Sequence, residues 1–456
     1  MQIKKLTALL LLCFPGLLYA QKISFKQLRY DEDYRYLSSD TSSWYKKIKF
    51  MPLSDDKKDY LSFGGEFRGQ YFHYTNPDWG DAAQDNDGFV LARYLLHGDL
   101  HLGKGLRAFV QLQSGMSNGE IEEPSPVNEN PLDLHQAFVD INLPIKNAPL
   151  TMRLGRQEMS YGSQRIVSVR DAPNNRQSFD GAKVIMNMNK LRVDAFLTSY
   201  VQARKGIFDD DFSKNIRFWG AYAAISKFKA VDNLDLYYLG YKRALSIFDD
   251  GKGSELRHSI GMRTAGSYGA FQYDAEGLYQ FGHLEDHKIS AWTASANLSY
   301  TFKEVWISPK TGLKTEVVSG DRKYGDGKLN TFNPLFPRGG YFGLAALIGP
   351  ANLFDIHPYI EIKLSNSVTF TQDYDVFWRM QRNDGLYAVN GRLLYSGKET
   401  QSKYIGAQLG SSMEYSPTNY LYFRLEYTWF DSGRYLMETG AGKDISMFGA
   451  NATFKF

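Results

Sequence analysis

The chain has 456 residues with 53 Lys+Arg against 50 Asp+Glu, a formal charge of +3, so it lacks the strong basic excess of a nucleic-acid binder. Its one cysteine, Cys13, falls in the first 20 residues, which excludes a disulfide-stapled scaffold and thiol chemistry for the rest of the chain. Beyond those residues no apolar run approaches the ~20 residues of a membrane helix, while 31 Tyr, 30 Phe and 41 Gly suit β-structure with aromatics at two lipid–water interfaces.

The first expected element is a secretory signal. Lys4 and Lys5 precede an apolar stretch from Leu6 to Leu18, and Ala20 is a small residue of the kind signal peptidase accepts, so residues 1–20 are expected to be cleaved. Residues 21–58 carry Tyr30, Tyr34, Tyr36, Trp44 and Tyr45 among charges. They read as a periplasmic N-terminal segment, or as an initial strand tucked at the mouth of a lumen.

From 59 to 456 the chain breaks into short alternating runs. In the first half strands are expected near 60–75, 87–102, 105–116, 133–143, 149–157, 177–189, 190–203, 214–228 and 232–244. In the second half they are expected near 255–267, 268–282, 287–302, 305–320, 351–364, 366–381, 401–415, 417–431 and 445–456. Tight turns such as Leu102-Gly103-Lys104-Gly105 and Asn189-Lys190 alternate with longer connections at 76–86, 117–132, 158–176, 204–213, 245–254, 283–286, 321–350, 382–400 and 432–444. Short turns on one rim, long loops on the other and an even strand count describe an all-β fold. The expected architecture is a transmembrane antiparallel up-and-down β-barrel of about 18 strands, with periplasmic turns and extracellular loops, and the expected location is the outer membrane of a Gram-negative bacterium.

Alternation also sorts lipid from lumen. Leu421, Phe423, Leu425, Tyr427 and Trp429 share an apolar face, with Arg424, Glu426 and Thr428 opposite. Along the last strand Phe448, Ala450, Ala452, Phe454 and Phe456 oppose Asn451, Thr453 and Lys455. An alternating strand that closes on Phe456 is what barrel-assembly machinery is expected to recognise. The remaining expected partners are outer-membrane lipid and lipopolysaccharide.

No Gly-x-Ser-x-Gly elbow, His-Glu-x-x-His, phosphate loop or dinucleotide glycine motif occurs, so an enzyme is not expected. His283-x-Glu285-Asp286-His287 has ligand types for zinc, but on a short hairpin loop. Asp209-Asp210-Asp211 and the Asp321/Asp326 loop offer hard oxygens for calcium. A solvated loop is the favoured explanation of each, so no metal or cofactor is assigned, with calcium on the acidic loops as the one alternative.

The order of several segments resembles the alginate export porin family. They are Arg29-Tyr30-Asp31-Glu32-Asp33-Tyr34, Tyr60-Leu61-Ser62-Phe63-Gly64-Gly65-Glu66-Phe67-Arg68, Leu154-Gly155-Arg156-Gln157-Glu158-Met159-Ser160-Tyr161-Gly162-Ser163-Gln164-Arg165 and Phe179-Asp180-Gly181. Asn333-Pro334-Leu335-Phe336-Pro337, Asp375-Val376-Phe377-Trp378 and Gly385-Leu386-Tyr387 come after them in the same order. The resemblance implies a monomeric 18-stranded porin, its lumen narrowed by infolded loops and lined with arginines that pass a polyuronate.

Arginines expected to point inward are Arg68, Arg93, Arg107, Arg153, Arg192, Arg257, Arg263 and Arg424. A guanidinium holds a carboxylate through two hydrogen bonds, so a ladder of them suits an anionic oligo- or polysaccharide. The same faces carry Glu66, Asp99, Asp140, Asp194 and Glu426, so wall-bracing ion pairs are the alternative. Loop 158–176 holds Arg165, Arg170 and Arg176 and is expected to form a constriction if it folds inward. There the resemblance singles out Arg156, Arg165 and Asp180. The expected function is a passive channel for anionic saccharides or other acidic solutes. A general porin, or a non-conducting adhesion barrel acting through its outer loops, stands as the alternative.

Overall fold

The structure, a computed structural model, describes residues 25–39, 44–228 and 231–456; the expected signal peptide lies outside them. Alternating apolar and polar residues bury one face of a strand only if the sheet closes or is covered, and here it closes. Eighteen antiparallel strands form the wall. β1 to β6 are Tyr60–Thr75, Phe89–Leu102, Leu106–Asn118, Asn130–Leu143, Leu150–Gln157 and Phe179–Met188. β7 to β12 are Leu191–Gln202, Asp211–Phe228, Val231–Phe248, Gly251–Tyr268, Phe271–Leu284 and His287–Thr301. β13 to β18 are Lys310–Val318, Leu353–Lys363, Val368–Arg379, Tyr404–Tyr415, Leu421–Ser432 and Ile445–Lys455. Each strand pairs with its sequence neighbours, and β18 returns to β1 with Glu66 opposite Lys455 and Thr75 opposite Ser446.

Every expected strand is present, and turn chemistry explains the short rim. Asn189 takes the left-handed conformation (φ 43°) between β6 and β7, as a two-residue hairpin needs. Two expected long loops are instead tight. β9 and β10 run on to Phe248 and from Gly251, leaving Asp249-Asp250 as the turn, and Glu285-Asp286 joins β11 to β12. Lys242 puts a charge on the outer face of β9 and the register shifts between Arg243 and Ser246, which together disguise the strand's continuation.

Outside, Phe67, Tyr94, Leu96, Leu197, Ile260, Leu298, Leu425 and Trp429 are exposed on the outward register, giving the apolar belt a bilayer requires. Inside, the lumen is filled. Loop 158–178 and loop 319–352 both fold inward and meet as a short parallel bridge at Val167 and Phe336. The Ser168 amide donates to the Phe336 carbonyl and the Phe336 amide to the Ile166 carbonyl, both at 3.0 Å. The Phe336 ring sits among Phe179, Tyr200, Phe218 and Tyr241, with centroids 4.9 to 5.8 Å away. Near the long-loop rim Trp79 packs on Phe430 and Tyr395, beside the short helix Arg434–Thr439.

The N-terminal segment enters the opposite mouth. It forms 3-10 turns at Arg29–Asp31 and Arg35–Ser39, a helix at Trp44–Lys49 and a two-residue strand, Met51–Pro52, paired with β1. The Tyr30 ring lies edge-on to Phe109 and Phe138 of the wall, and its hydroxyl donates to the Glu158 carbonyl at 2.8 Å. The segment therefore touches loop 158–178 from below.

Candidate substrate path through the lumen

Strand parity brings Arg68 on β1 and Arg93 on β2 together, opposite one another in register and both buried. Two adjacent guanidiniums repel unless they share acceptors, and the infolded loop supplies these. Arg93 donates to Glu66 Oε1 (2.5 Å) and Asp171 Oδ1 (2.7 Å), while Arg68 donates to the main-chain oxygens of Asp171 (2.5 Å) and Pro173 (2.6 Å). Arg176, from the same loop, pairs with Glu158 at 2.9 Å and stands 3.6 Å from Asp171. Burial works to raise the Asp171 carboxyl, but Arg93, Arg176 and Arg68 outweigh it and hold the group below the usual carboxylate range. Lys455 of β18 stands 3.6 Å from Glu66.

Glu66, Arg68, Arg93, Asp171 and Lys455 line a cavity of about 500 Å³, shared with Asn451 and Thr453, that reaches Phe25 and the turn residues 418–420 at the short-turn mouth. The Nε of Arg68 is buried and has no hydrogen-bond partner among the described residues.

Higher in the lumen Arg165 spans the barrel. From the loop its Nε donates to the Tyr341 hydroxyl (2.7 Å), and its Nη atoms reach Glu276 on β11 (3.4 Å), Ser295 on β12 and Glu316 on β13. Tyr341, from loop 319–352, itself donates to Glu316 at 2.8 Å. One guanidinium thus fastens both infolded loops to the far wall. Beside it lies a second cavity of about 190 Å³.

The other inward arginines are spent on the wall. Arg153 takes Asp140 through two bonds of 2.7 and 2.8 Å and stacks on Phe138 and Tyr30, 3.8 and 4.1 Å from their ring centres. Arg107 grips Asp99, Arg192 pairs with Asp194 at 2.8 Å, Arg257 with Glu255 at 2.5 Å and Arg263 with Asp274 at 2.6 Å. Arg424 pairs with Glu426 and stands 3.6 Å from Glu414. For these the bracing alternative describes the geometry.

Arg156 and Asp180 are not brought into the lumen. They pair at 2.9 Å, directly opposite one another in register, on the outward parity set by Leu154 and Ala182. Arg156 also donates to the main-chain oxygens of Leu134 and Asp210, so loop 203–210 covers the pair from outside. The expectation that these two residues belong to the constriction is corrected by parity: Arg153 and Arg156 are three apart, and in a regular strand that puts them on opposite faces.

His283 faces outward, whereas His287 lies opposite the buried Leu284, so the two do not converge. Asp209 and Asp210 meet Asp133 with ligand atoms within 4.8 Å. Sequence reasoning misses Asp171, Lys455 and Tyr341 as path residues. Lys455 shares the inward parity of Asn451 and Thr453, a signal that could have found it, but nothing local marks Asp171 or Tyr341.

Several solved porins are similar in fold. OccK2 (OpdF) of Pseudomonas aeruginosa, solved in complex with glucuronate, is 13% identical, with 87% of this chain and 98% of that one covered at a TM-score of 0.56. A BenF-like porin from Pseudomonas fluorescens Pf-5 is 11% identical over 87% and 98% of the two chains, at 0.58. OpdK of Pseudomonas aeruginosa, solved with vanillate, is 12% identical over 87% and 98%, at 0.54. At these identities the likeness shows the fold alone. No curated protein matches the sequence. The family model described as alginate export matches residues 59–447, from the residue before β1 into β18. Spanning nearly the whole closed wall, that match shows that the chain belongs to the alginate export family, whose members are outer-membrane β-barrel channels.

Proposed function

We propose that this outer-membrane channel passes anionic saccharides of the uronate class, or other small acidic solutes, with Arg68, Arg93, Arg176 and Lys455 as the path. The observation that carries the reading is the convergence of Arg68, Arg93 and Lys455 on one cavity of about 500 Å³ at the short-turn mouth, with Arg176 behind it against Asp171. That volume suits a sugar-sized ligand, and the unpartnered Arg68 Nε offers a donor to its carboxylate. Weak, shared contacts at Asp171 let an incoming carboxylate compete for the same guanidiniums and then leave, as conduction requires. In this reading the chain works as a monomer, is inserted through recognition of Phe456, and turns its long-loop rim toward lipopolysaccharide.

The filled lumen favours a second reading, a barrel that conducts nothing and acts through its outer loops. Planar-bilayer recording on the refolded mature chain separates the two. Under a salt gradient an anion-selective current is expected, blocked by added oligouronate, and Arg68→Gln weakens the block about tenfold, or ~1.4 kcal/mol. Cation-selective or unblocked currents would sink the solute assignment. Silence from a folded barrel would favour the second reading.

A further inference from the structure

Three side chains in the lumen wall are arranged as ligands rather than as an ion-pair ladder. Asp355 and His357 are two residues apart on β14 and so share its inward face, and Asp375 faces inward from the adjacent β15. All three are buried, at 2%, 5% and 0% exposure. One ligand atom from each lies within 4.8 Å of the others.

The charge there is unbalanced. Among the described residues no Lys or Arg lies within ion-pair distance of Asp355 or Asp375, unlike the other buried wall carboxylates Asp140, Asp194 and Glu255. The nearest cations are engaged elsewhere. Lys314 sits 4.9 Å over the Tyr359 ring, Arg338 donates to the Tyr341 carbonyl at 3.2 Å, and Arg165 is taken by Tyr341 and Glu316.

The polar atoms are also unsatisfied. Both oxygens of Asp375, Oδ1 of Asp355 and Nε2 of His357 are buried without a hydrogen-bond partner. His357 Nδ1 lies 2.8 Å from Asp375 Oδ2, close enough to share a proton or an ion with it. Two buried carboxylates with one imidazole as their only partner within ion-pair distance among the described residues cost several kcal/mol, so a cation or shared protons must complete the cluster.

We infer that Asp355, His357 and Asp375 bind a divalent transition-metal ion, with zinc the best match. One imidazole and two carboxylates form a mixed nitrogen–oxygen set typical of zinc, and their two negative charges balance the ion. Bonds of ~2.0–2.2 Å close the present triangle with small side-chain rotations. Asp373 Oδ1 stands 3.4 Å from His357 Nε2, placed to orient the ring so that Nδ1 is the ligand. Asp355 and His357 line the cavity of about 190 Å³ beside Arg165, so a fourth coordination position opens into the lumen. The ion therefore stabilises the β14–β15 wall and adds a Lewis-acidic contact to the channel.

This site is separate from the Arg68 cavity and does not depend on the solute proposed above. The test uses the full mature chain folded in detergent, stripped with chelator and titrated with zinc chloride alone. One equivalent of zinc is expected to survive gel filtration. Cobalt substituted for it is expected to give visible d–d bands of a low-symmetry nitrogen–oxygen site. His357→Gln and Asp375→Asn are expected to weaken zinc at least tenfold while the barrel still shifts on unheated electrophoresis, the mark of a folded wall. Failure of the folded wild type to retain zinc would mean that protons complete the cluster and would overturn the inference. So would equal retention by the Asp355→Asn/His357→Gln/Asp375→Asn triple variant, because the metal would then sit elsewhere. Should the variants not fold, a wild-type cobalt spectrum without imidazole nitrogen coordination overturns it equally.

Discussion

Arg165 shows how much one residue holds. Its guanidinium answers Glu276, Glu316 and the Tyr341 hydroxyl at once. Removing it leaves two carboxylates facing each other in a buried place, at a cost on the order of 3–5 kcal/mol. The wall is held by main-chain ladders and does not feel this loss, but the two infolded loops do. Arg165→Met is therefore expected to leave a folded barrel whose loop 158–178 is cut faster by added protease and whose open-channel conductance is larger. Unchanged proteolysis and conductance would show that the loops stay in place without it. The residue also shows how far local sequence reaches. Its position in an arginine-bearing loop is visible, but its partners lie 111 and 151 positions further on, and no local pattern announces them. Arg156 shows the reverse. The count of three from Arg153 is enough to turn it outward, and a resemblance in the surrounding residues conceals that arithmetic. The metal-type cluster is unreadable for a third reason. Its ligands come from two strands, and only their register makes them neighbours.

Among the elements, the strands are legible because a period of two is a local property, carried by runs such as Leu421 to Trp429. The direction of the long loops is not local. Phe336 turns inward because Phe179, Phe218 and Tyr241 on three different strands leave a place for its ring. Loop 380–403 is tied down differently, through a carboxyl. Asp384, fully buried, accepts from the Thr331 hydroxyl (2.6 Å), the Tyr387 hydroxyl (2.6 Å) and the Asp321 amide (2.7 Å). Burial pushes this carboxyl up to about 6, although those donors work to lower it. The closed loop thus binds a proton more tightly than the released one, whose carboxyl has an ordinary value of 3.8. The extra stability of closure is complete at low pH and is lost as pH rises through the window from 3.8 to about 6. Hydrogen exchange over residues 386–395 is expected to quicken across that window beyond the intrinsic rate. Asp384→Asn is expected to flatten the dependence. A wild-type profile as flat as the variant's would remove the carboxyl from the latch.

At the scale of the whole molecule the pore is stoppered twice, by the infolded loops and by the segment 25–50 beneath them. The family match begins at 59, outside this lower stopper. Removal of residues 21–50 is expected to leave the eighteen-stranded wall folded, since none of the described residues among them belongs to it. Conductance is expected to rise severalfold as the cavity below Arg68 and Arg93 opens wide. An unchanged conductance in bilayers would mean that the upper loops alone limit flow.

The seam of the wall adds something further. Gly65 and Phe456 exchange main-chain hydrogen bonds of 3.0 and 3.1 Å. From the N-terminal segment, Arg29 and Lys49 donate to the main-chain oxygen of Phe456 at 2.8 and 3.0 Å. The N-terminal segment is thus fastened to the seam itself, in addition to its contacts with β1, Phe109 and Phe138. Closing the wall and seating the segment share one acceptor, so a change that displaces the Phe456 main-chain oxygen would loosen both at once.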